Sequence, residues 1–415
     1  MHINDLLKIA IERKASDLHL KAGSRPVLRI DGHLHPIVEM KRLMQEDTIA
    51  MAFSIMNNKQ KQKFKENLEL DMAYSVPGLG RFRVNIFQQR GTVGIVCRVI
   101  PVKILNISDL NLPPVLESIA DEPRGLILCT GTTGSGKSTT LAAIIDYINS
   151  TKPVHIITIE DPIEYLHRDK KGIVNQREVG VDTLRFNVAL RSALRQDPDV
   201  ILVGEMRDRE TIETAITAAE TGHLVLSTLH TLDAMETVNR IISMFPPHQH
   251  KQLRLQLAAI LKGIISQRLI PKSNGKGRVP AVEVMISTAR TRECVEDKDK
   301  TKLINQAIAE GRTHYGMQTF DQSLMDLYRK GWITLEDAII RATNPDDFKL
   351  KIAGILSAGD TTWEGVKAGD EKYMSRLRDA QTMEDLTKGE EEEGKDKKGD
   401  EFDFGDFNGK DPFEI

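Results

Sequence analysis

The octapeptide Gly131-Thr132-Thr133-Gly134-Ser135-Gly136-Lys137-Ser138 constrains this chain more than any other stretch. It satisfies G-x-x-x-x-G-K-[S/T] in full. It lies between an apolar run at 126–129 and a helical stretch at 139–148, which is the strand–loop–helix context the motif demands. The glycines let backbone N–H groups turn inward onto phosphate oxygens, Lys137 reaches the outer phosphates, and the Ser138 hydroxyl can ligate Mg²⁺. A helix that begins at the loop turns its positive end to the same anion. Gly131 to Ser138, with Thr139 next in the chain, are therefore the candidate nucleotide-binding residues.

The surroundings of the loop set the fold class. Continuous apolar runs at 126–129, 155–159, 200–203 and 224–227 alternate with helical stretches at 137–149, 183–195 and 209–221. Strands apolar on both faces and separated by helices indicate an α/β fold with a covered parallel sheet. After Thr231 the pattern predicts mainly helix, over 235–244, 248–269 and 319–330.

Residues 1–100 read as a separate mixed α and β domain. An opening helix carries the stripe Ile3, Leu6, Leu7, Ala10 and Ile11. Short strands follow at 16–20, 26–30 and 33–38, with Asp31-Gly32 as a hairpin turn. A polar helix is expected over 47–66, then strands at 70–75, 81–89 and 94–100. Prolines at 101, 113, 114 and 123 mark 101–123 as a linker, leaving 124–357 as the domain of the phosphate loop.

From 358 periodicity is lost, and charge blocks predict a disordered acidic tail. Residues 361–415 hold 17 acidic and 9 basic side chains; set against a whole-chain charge of −3, this leaves the preceding 360 residues at about +5. That is too mild and dispersed for a nucleic-acid groove, so no nucleic-acid partner is expected. Phe402, Phe404, Phe407 and Phe413 stand among the acids as a solubilising tail or a short docking motif. Cys97, Cys129 and Cys294 lie far apart without CxxC spacing, which predicts buried reduced thiols rather than a zinc site. No stretch reaches the roughly 18–20 apolar residues of a bilayer span, so a cytoplasmic protein is expected, held at a membrane only through a partner.

Hydrolysis needs acids beside the phosphates. The run 200–203 leads through Gly204, where an Asp is usual, to Glu205. The run 155–159 ends in Glu160, Asp161 and Glu164. In a parallel sheet both strand ends face the same ligand edge. His223 and His230 flank the apolar run 224–228, seven residues apart, and would stand near opposite ends of a strand of that length. They cannot chelate one metal, but one or both could sense a γ-phosphate.

The segments GTTGSGKST, ITIEDPIEY, LRQDPDVILVGEMRDRET and TGHLVLSTLHT occur in this order. In them the chain resembles the secretion-type hexameric ATPases, and most closely their pilus-retraction branch. The likeness runs from residue 1 to about 350 and includes SDLHL and GMQTFDQSL. It implies a homohexameric motor with a PAS-like N-terminal domain and a RecA-like ATPase domain with C-terminal helices. It also implies ATP with Mg²⁺, an inner-membrane pilus platform protein as partner, and a paralogous accessory retraction ATPase.

The resemblance makes Gly204-Glu205 normal. It favours Glu164 as general base and Glu205, with Ser138, as the Mg²⁺-organising acid, although the two acids could exchange roles. His223 and His230 match a histidine box. Arg81, Arg83 and Arg98 match arginines that reach the nucleotide from the N-terminal domain of a neighbouring subunit, and Arg81 and Arg83 share one strand face.

Two departures stand out. The retraction motif Ala-Ile-Arg corresponds to 286–293, where Ala289 is followed directly by Arg290, and the acidic tail is longer than typical. The accessory paralogue also has an extended C-terminus. Extension and secretion ATPases carry paired CxxC motifs and an added N-terminal domain, neither of which this sequence shows. A nucleotide-holding scaffold would have a damaged acid set, whereas Glu160, Asp161, Glu164 and Glu205 are all present.

Overall fold

The computed structural model of the protein describes residues 2–30, 32–100 and 104–352. The tail expectations from 358 onward, including its phenylalanines, lie outside the described residues.

The N-terminal region contains α1 (Ile3–Glu12), β1 (Asp17–Lys21), β2 (Val27–Ile30), β3 (His33–Pro36), α2 (Gln45–Ile55), α3 (Asn58–Asn67), β4 (Glu69–Val76), β5 (Gly80–Gln89) and β6 (Thr92–Ile100). Its strands form one antiparallel sheet in the order β3-β2-β1-β6-β5-β4. The apolar stripe of α1 is buried at Ile3, Leu6, Leu7 and Ala10. In β5 Phe82, Val84 and Ile86 point into the core, which leaves Arg81 and Arg83 on the outward face. The single helix expected over 47–66 is two helices. Asn57 breaks it with a reciprocal cap: its Oδ1 accepts from Gln60 N at 2.9 Å, and its own N–H donates to Gln60 Oε1 at 2.9 Å.

The second region contains α4 (Val115–Ala120), β7 (Gly125–Thr130), α5 (Lys137–Thr151), β8 (His155–Glu160), β9 (Ile173–Glu178), α6 (Phe186–Ala193), β10 (Val200–Val203), α7 (Arg209–Glu220), β11 (Leu224–Leu229), α8 (Ala234–Ser243), α9 (His250–Ile260), β12 (Leu261–Pro271), β13 (Arg278–Ile286), α10 (Ala289–Glu296), α11 (Ile304–Glu310), α12 (Arg312–Tyr315), α13 (Phe320–Arg329) and α14 (Leu335–Arg341). The seven-stranded sheet runs β13-β12-β7-β11-β10-β8-β9, parallel throughout except for the antiparallel β12–β13 hairpin. All six residues of β7 and of β11 are buried, as sheet strands covered on both faces should be. One core cluster joins α6, α7, α8 and α9 to one face, and another joins α4 and α5 to the other.

Two expectations are corrected here. The helix read over 248–269 ends at Ile260, and Leu261–Pro271 is a strand. Ile264 and Ile265 lie in the sheet, and Gly263, at a register irregularity, lets β12 run beside β7. The edge strand β9 went unread because IVNQRE is polar and exposes Ile173. Within the stretch read as linker, α4 forms, and Ile107, Leu112, Leu116 and Ile119 are buried in the core under the phosphate-loop strand. Residues 344–415 make a separate unit, of which α15 (Pro345–Ile352) is described. All three cysteines are buried and unpaired, and burial pushes the Cys97 and Cys129 thiols up to about 12.

Candidate nucleotide-binding and catalytic site

Parallel strands β7, β11, β10 and β8 end on one edge of the sheet, and the loops that leave them build a cleft of about 590 Å³. Residues 131–136 form the first of these loops. Gly131, Gly134 and Gly136 all have positive φ (140°, 79° and 95°). At Gly131 a Cβ would stand 2.4 Å from Gln267 O, so the turn is closed to any side chain. Lys137 begins α5 with its side chain buried, and its Nζ donates to Gly131 O at 2.8 Å and Thr132 O at 3.1 Å. Burial pulls the lysine below its ordinary range, against the opposing pull of Cys129, Glu205 and Glu164. Ser135 Oγ is buried in the loop without a protein partner. Thr139 Oγ1 lies 2.8 Å from Tyr165 OH. An orphaned hydroxyl, a cationic side chain and a helix N-terminus in one glycine-lined turn fit a phosphate group.

The wall opposite the loop is acidic. Glu205 follows β10 and sits between Arg207, with which it forms an ion pair at 2.8 Å, and His230, whose Nε2 lies 3.2 Å away. Gly204 has a structural reason: a Cβ there would lie 3.2 Å from Ile159 O and 3.3 Å from Glu160 Cα. Its lack of a side chain lets the ends of β10 and β8 close up. Glu160 accepts from Thr158 Oγ1 at 2.6 Å and Gln176 Nε2 at 3.1 Å, and burial raises its pKa over these hydrogen bonds. Asp161 and Glu164 line the cleft with exposed side chains.

The structure brings Thr133, Gly134, Gly136, Lys137, Ser138, Thr139, Glu164, Glu205, His230 and Arg83 onto this one cleft. Gly131, Thr132 and Ser135 line a smaller cavity of about 330 Å³ on the other side of the loop, with Gln267, Arg268 and Arg278. His223 is not brought in. It precedes β11 at the far end, where its Nδ1 meets Ala218 O at 2.9 Å. Arg81 lies off the cleft, with its Nη2 donating to Glu178 Oε2 at 2.6 Å inside the same chain. Arg98 donates to Asp17 Oδ1 at 2.8 Å; burial opposes that carboxylate's charge, but the hydrogen bonds from Arg98 and Ser16 hold its pKa below the ordinary value. Of the three arginines, Arg83 alone lines the cleft, and its one ion pair is a loose 3.9 Å contact with exposed Asp71. Within this chain Arg83 lines the chain's own cleft, and the sequence expectation of arginines supplied to a neighbouring subunit's nucleotide is not tested by a single chain.

Sequence reasoning missed Gln267, which backs the loop: its Oε1 accepts from Thr140 Oγ1 at 2.7 Å, and its Nε2 would stand 2.8 Å from a Cβ at Gly136. It lies on the strand that was read as helix, so no face could be assigned to it. Tyr165 and Arg207, which lie inside the segments ITIEDPIEY and LRQDPDVILVGEMRDRET, were not singled out either, nor was Gln176 on the unread strand β9. Among the described residues no group of three or more His, Cys, Asp or Glu is placed to hold a metal ion by itself.

A glycine-lined phosphate loop at the end of a central parallel strand, faced by carboxylates from the neighbouring strand ends, defines a P-loop nucleoside triphosphatase. The chain belongs to the type II/IV secretion system protein family, whose model matches residues 1–367. It is 50% identical over 348 residues to the type IV pilus retraction ATPase PilT of Pseudomonas aeruginosa, which covers 84% of this chain and 100% of that protein. It is 43% identical over 352 residues to the type IV pilus ATPase PilU of the same organism, covering 85% and 91%. A crystal structure of the pilus retraction motor PilT with bound ADP matches with a TM-score of 0.78 at 50% identity, over 84% of this chain and 98% of that one.

Proposed function

We propose that this chain is a motor ATPase that powers type IV pilus retraction, and hence twitching motility, by hydrolysing ATP in a homohexameric ring. The observation that carries the reading is the single cleft in which Lys137, Glu164, Glu205 and Arg83 meet. Identity of 50% to the retraction ATPase, over that protein's whole length, supports the pilus as the load. The lower 43% identity to PilU favours the principal motor over an accessory paralogue. In this reading residues 1–100 are a PAS-like domain and 124–357 a RecA-like ATPase domain with C-terminal helices. The protein works in the cytoplasm at the inner membrane, through a pilus platform protein. Among the described residues no helix is long and apolar enough to cross a membrane itself.

The chemistry follows from the cleft. Backbone N–H groups of residues 131–139 and the Lys137 ammonium hold the phosphate oxygens. Ser138 and Glu205 would hold Mg²⁺, which when bound neutralises charge on the phosphates. Glu164, exposed and free to approach a water, orients it and takes its proton as the water oxygen attacks the γ-phosphorus. The bond from that phosphorus to the β–γ bridging oxygen breaks, and ADP leaves with the bridging oxygen. Arg83 meets the charge that develops on the transferred group. His230, whose Nε2 lies 3.2 Å from Glu205 Oε1, would report whether the γ-phosphate is present.

The test is ATP hydrolysis measured against oligomeric state, together with pilus retraction in a retraction-deficient strain carrying this chain. Hydrolysis by the ring and restored retraction are expected, both lost in Glu205→Ala. Hydrolysis at the ring's rate by isolated monomers would remove the ring from the mechanism, and hydrolysis without retraction would point to an accessory motor.

A further inference from the structure

Arg81 stands apart from the cleft yet is among the most enclosed cations of the N-terminal sheet, with its side chain 16% exposed and that of its partner Glu178 5% exposed. An ion pair so little exposed is geometrically fixed, because separating it leaves a buried charge uncompensated. Glu178 ends β9, and its Oε2 has a second donor, the backbone N–H of Ile163 at 3.2 Å. Ile163 is buried and directly precedes Glu164. The same strand end grips the acidic segment a second time, where Val179 N donates to Glu160 O at 2.8 Å. A continuous path of hydrogen bonds thus runs from the outward face of β5, through one carboxylate, to the loop that carries Glu164. Two residues further along that face, Arg83 lines the cleft itself.

We propose that Arg81 is a positioning residue acting within its own subunit: through Glu178 and the Ile163 N–H it fixes the loop bearing Glu164, while Arg83 is the arginine that meets the nucleotide. The alternation of β5 therefore divides one pair of like residues between two tasks. Arg81 aims the acid and Arg83 stabilises the reacting phosphate. The inference rests on the reading of Glu164 as the residue that activates water.

The experiment uses the full-length ring. Small displacements of a reacting group cost about 10²-fold in rate, so Arg81→Ala should lower kcat roughly 10- to 100-fold while the KM for ATP changes less than about threefold. Exchanging the charges, Arg81→Glu with Glu178→Arg, should recover at least about tenfold in kcat over either single change. This pair also guards against a variant that fails because it does not fold.

Mixed rings decide between cis and trans action. Subunits carrying Arg81→Ala are combined with subunits carrying Lys137→Ala. Action in cis leaves both kinds of site defective, and the mixture should be no more active than its components. Recovery of hydrolysis on mixing would overturn the proposal, because it requires Arg81 to serve a neighbour's site. Normal kcat in Arg81→Ala beside a dead Glu164→Gln would also overturn it while leaving the reading of Glu164 intact. Normal hydrolysis in Glu164→Gln would instead remove the reading on which it rests.

Discussion

The seven-stranded sheet buries both faces of its central strands, whereas the N-terminal sheet keeps part of one face open, with all four residues of β3 exposed. The two contribute to the cleft in correspondingly different ways. The covered sheet offers strand ends: residues 131–137, Glu160, Glu205 and His230 all follow or end parallel strands, so the core that fixes the strands fixes them. The open sheet offers side chains on a face, Arg81 and Arg83, whose placement depends on ion pairs and backbone alternation. The strand-end groups are held by the core of the covered sheet, whereas on the open sheet Arg81 is held by its ion pair with Glu178.

The largest effect expected of this division is at the strand end. Lys137→Ala should lower ATP hydrolysis by about 10³-fold or more in a steady-state assay, since among the described residues it is the only lysine lining the cleft. Arg83→Ala should lower it by about 10²- to 10³-fold with the fold intact by circular dichroism. A loss under threefold would break the comparison at its key residue, by showing that Arg83 contributes nothing to the reaction.

Stability should divide in the same way. Ile127→Ala, at the fully buried centre of β7, should cost about 2–5 kcal/mol in chemical unfolding. Leu34→Ala, 55% exposed on β3, should stay within about 0.5 kcal/mol.

A third expectation concerns Glu283 on β13, which is buried and accepts Ala234 N–H at 2.9 Å. Burial pushes its pKa from the ordinary 4.5 up to about 7. Between those values the native chain holds a proton that the unfolded chain has released, so stability falls as pH rises through that window. The fall is on the order of 3 kcal/mol at most. Glu283→Gln cannot ionise, and its unfolding midpoint should gain on the wild type's between pH 5 and pH 8.

The smallest contrast sharpens the strand-end argument. His230→Ala should reduce hydrolysis by about tenfold, through loss of its 3.2 Å contact with Glu205. His223→Ala, at the other end of the same strand, should change it less than about twofold.

Covered strands write themselves into sequence. The runs around β7, β8, β10 and β11 were legible because a strand buried on both faces needs consecutive apolar residues. The phosphate loop and the acids were legible for a linked reason, since they stand where those runs stop. β12 was not, because no Gly-Pro turn separates it from α9 and the spacing of Leu253, Leu257 and Ile260 continues a helical period into it. With it went Gln267. The edge strand β9 pairs on one side only, can afford polar residues, and so hid Glu178. The pairing of Arg81 with Glu178 spans 97 residues, and no local pattern carries a contact that distant. That His230 meets Glu205 and His223 does not follows from strand direction, which a parallel sheet supplies once its order is known.

The central place of β7 also has a consequence in time. Both strands beside it come later in the chain: β11 starts at Leu224 and β12 at Leu261. From Thr130 to Leu224 is 224 − 130 = 94 residues, so at a synthesis rate of about 5–20 residues per second the strand waits roughly 5–19 s for its first neighbour. During that interval an apolar strand has unpaired backbone on both sides, which is the condition for mispairing with another chain. Ribosome-arrested chains ending before residue 224 should therefore be cut readily by protease near β7, and chains extending past Pro271 and clear of the exit tunnel should resist.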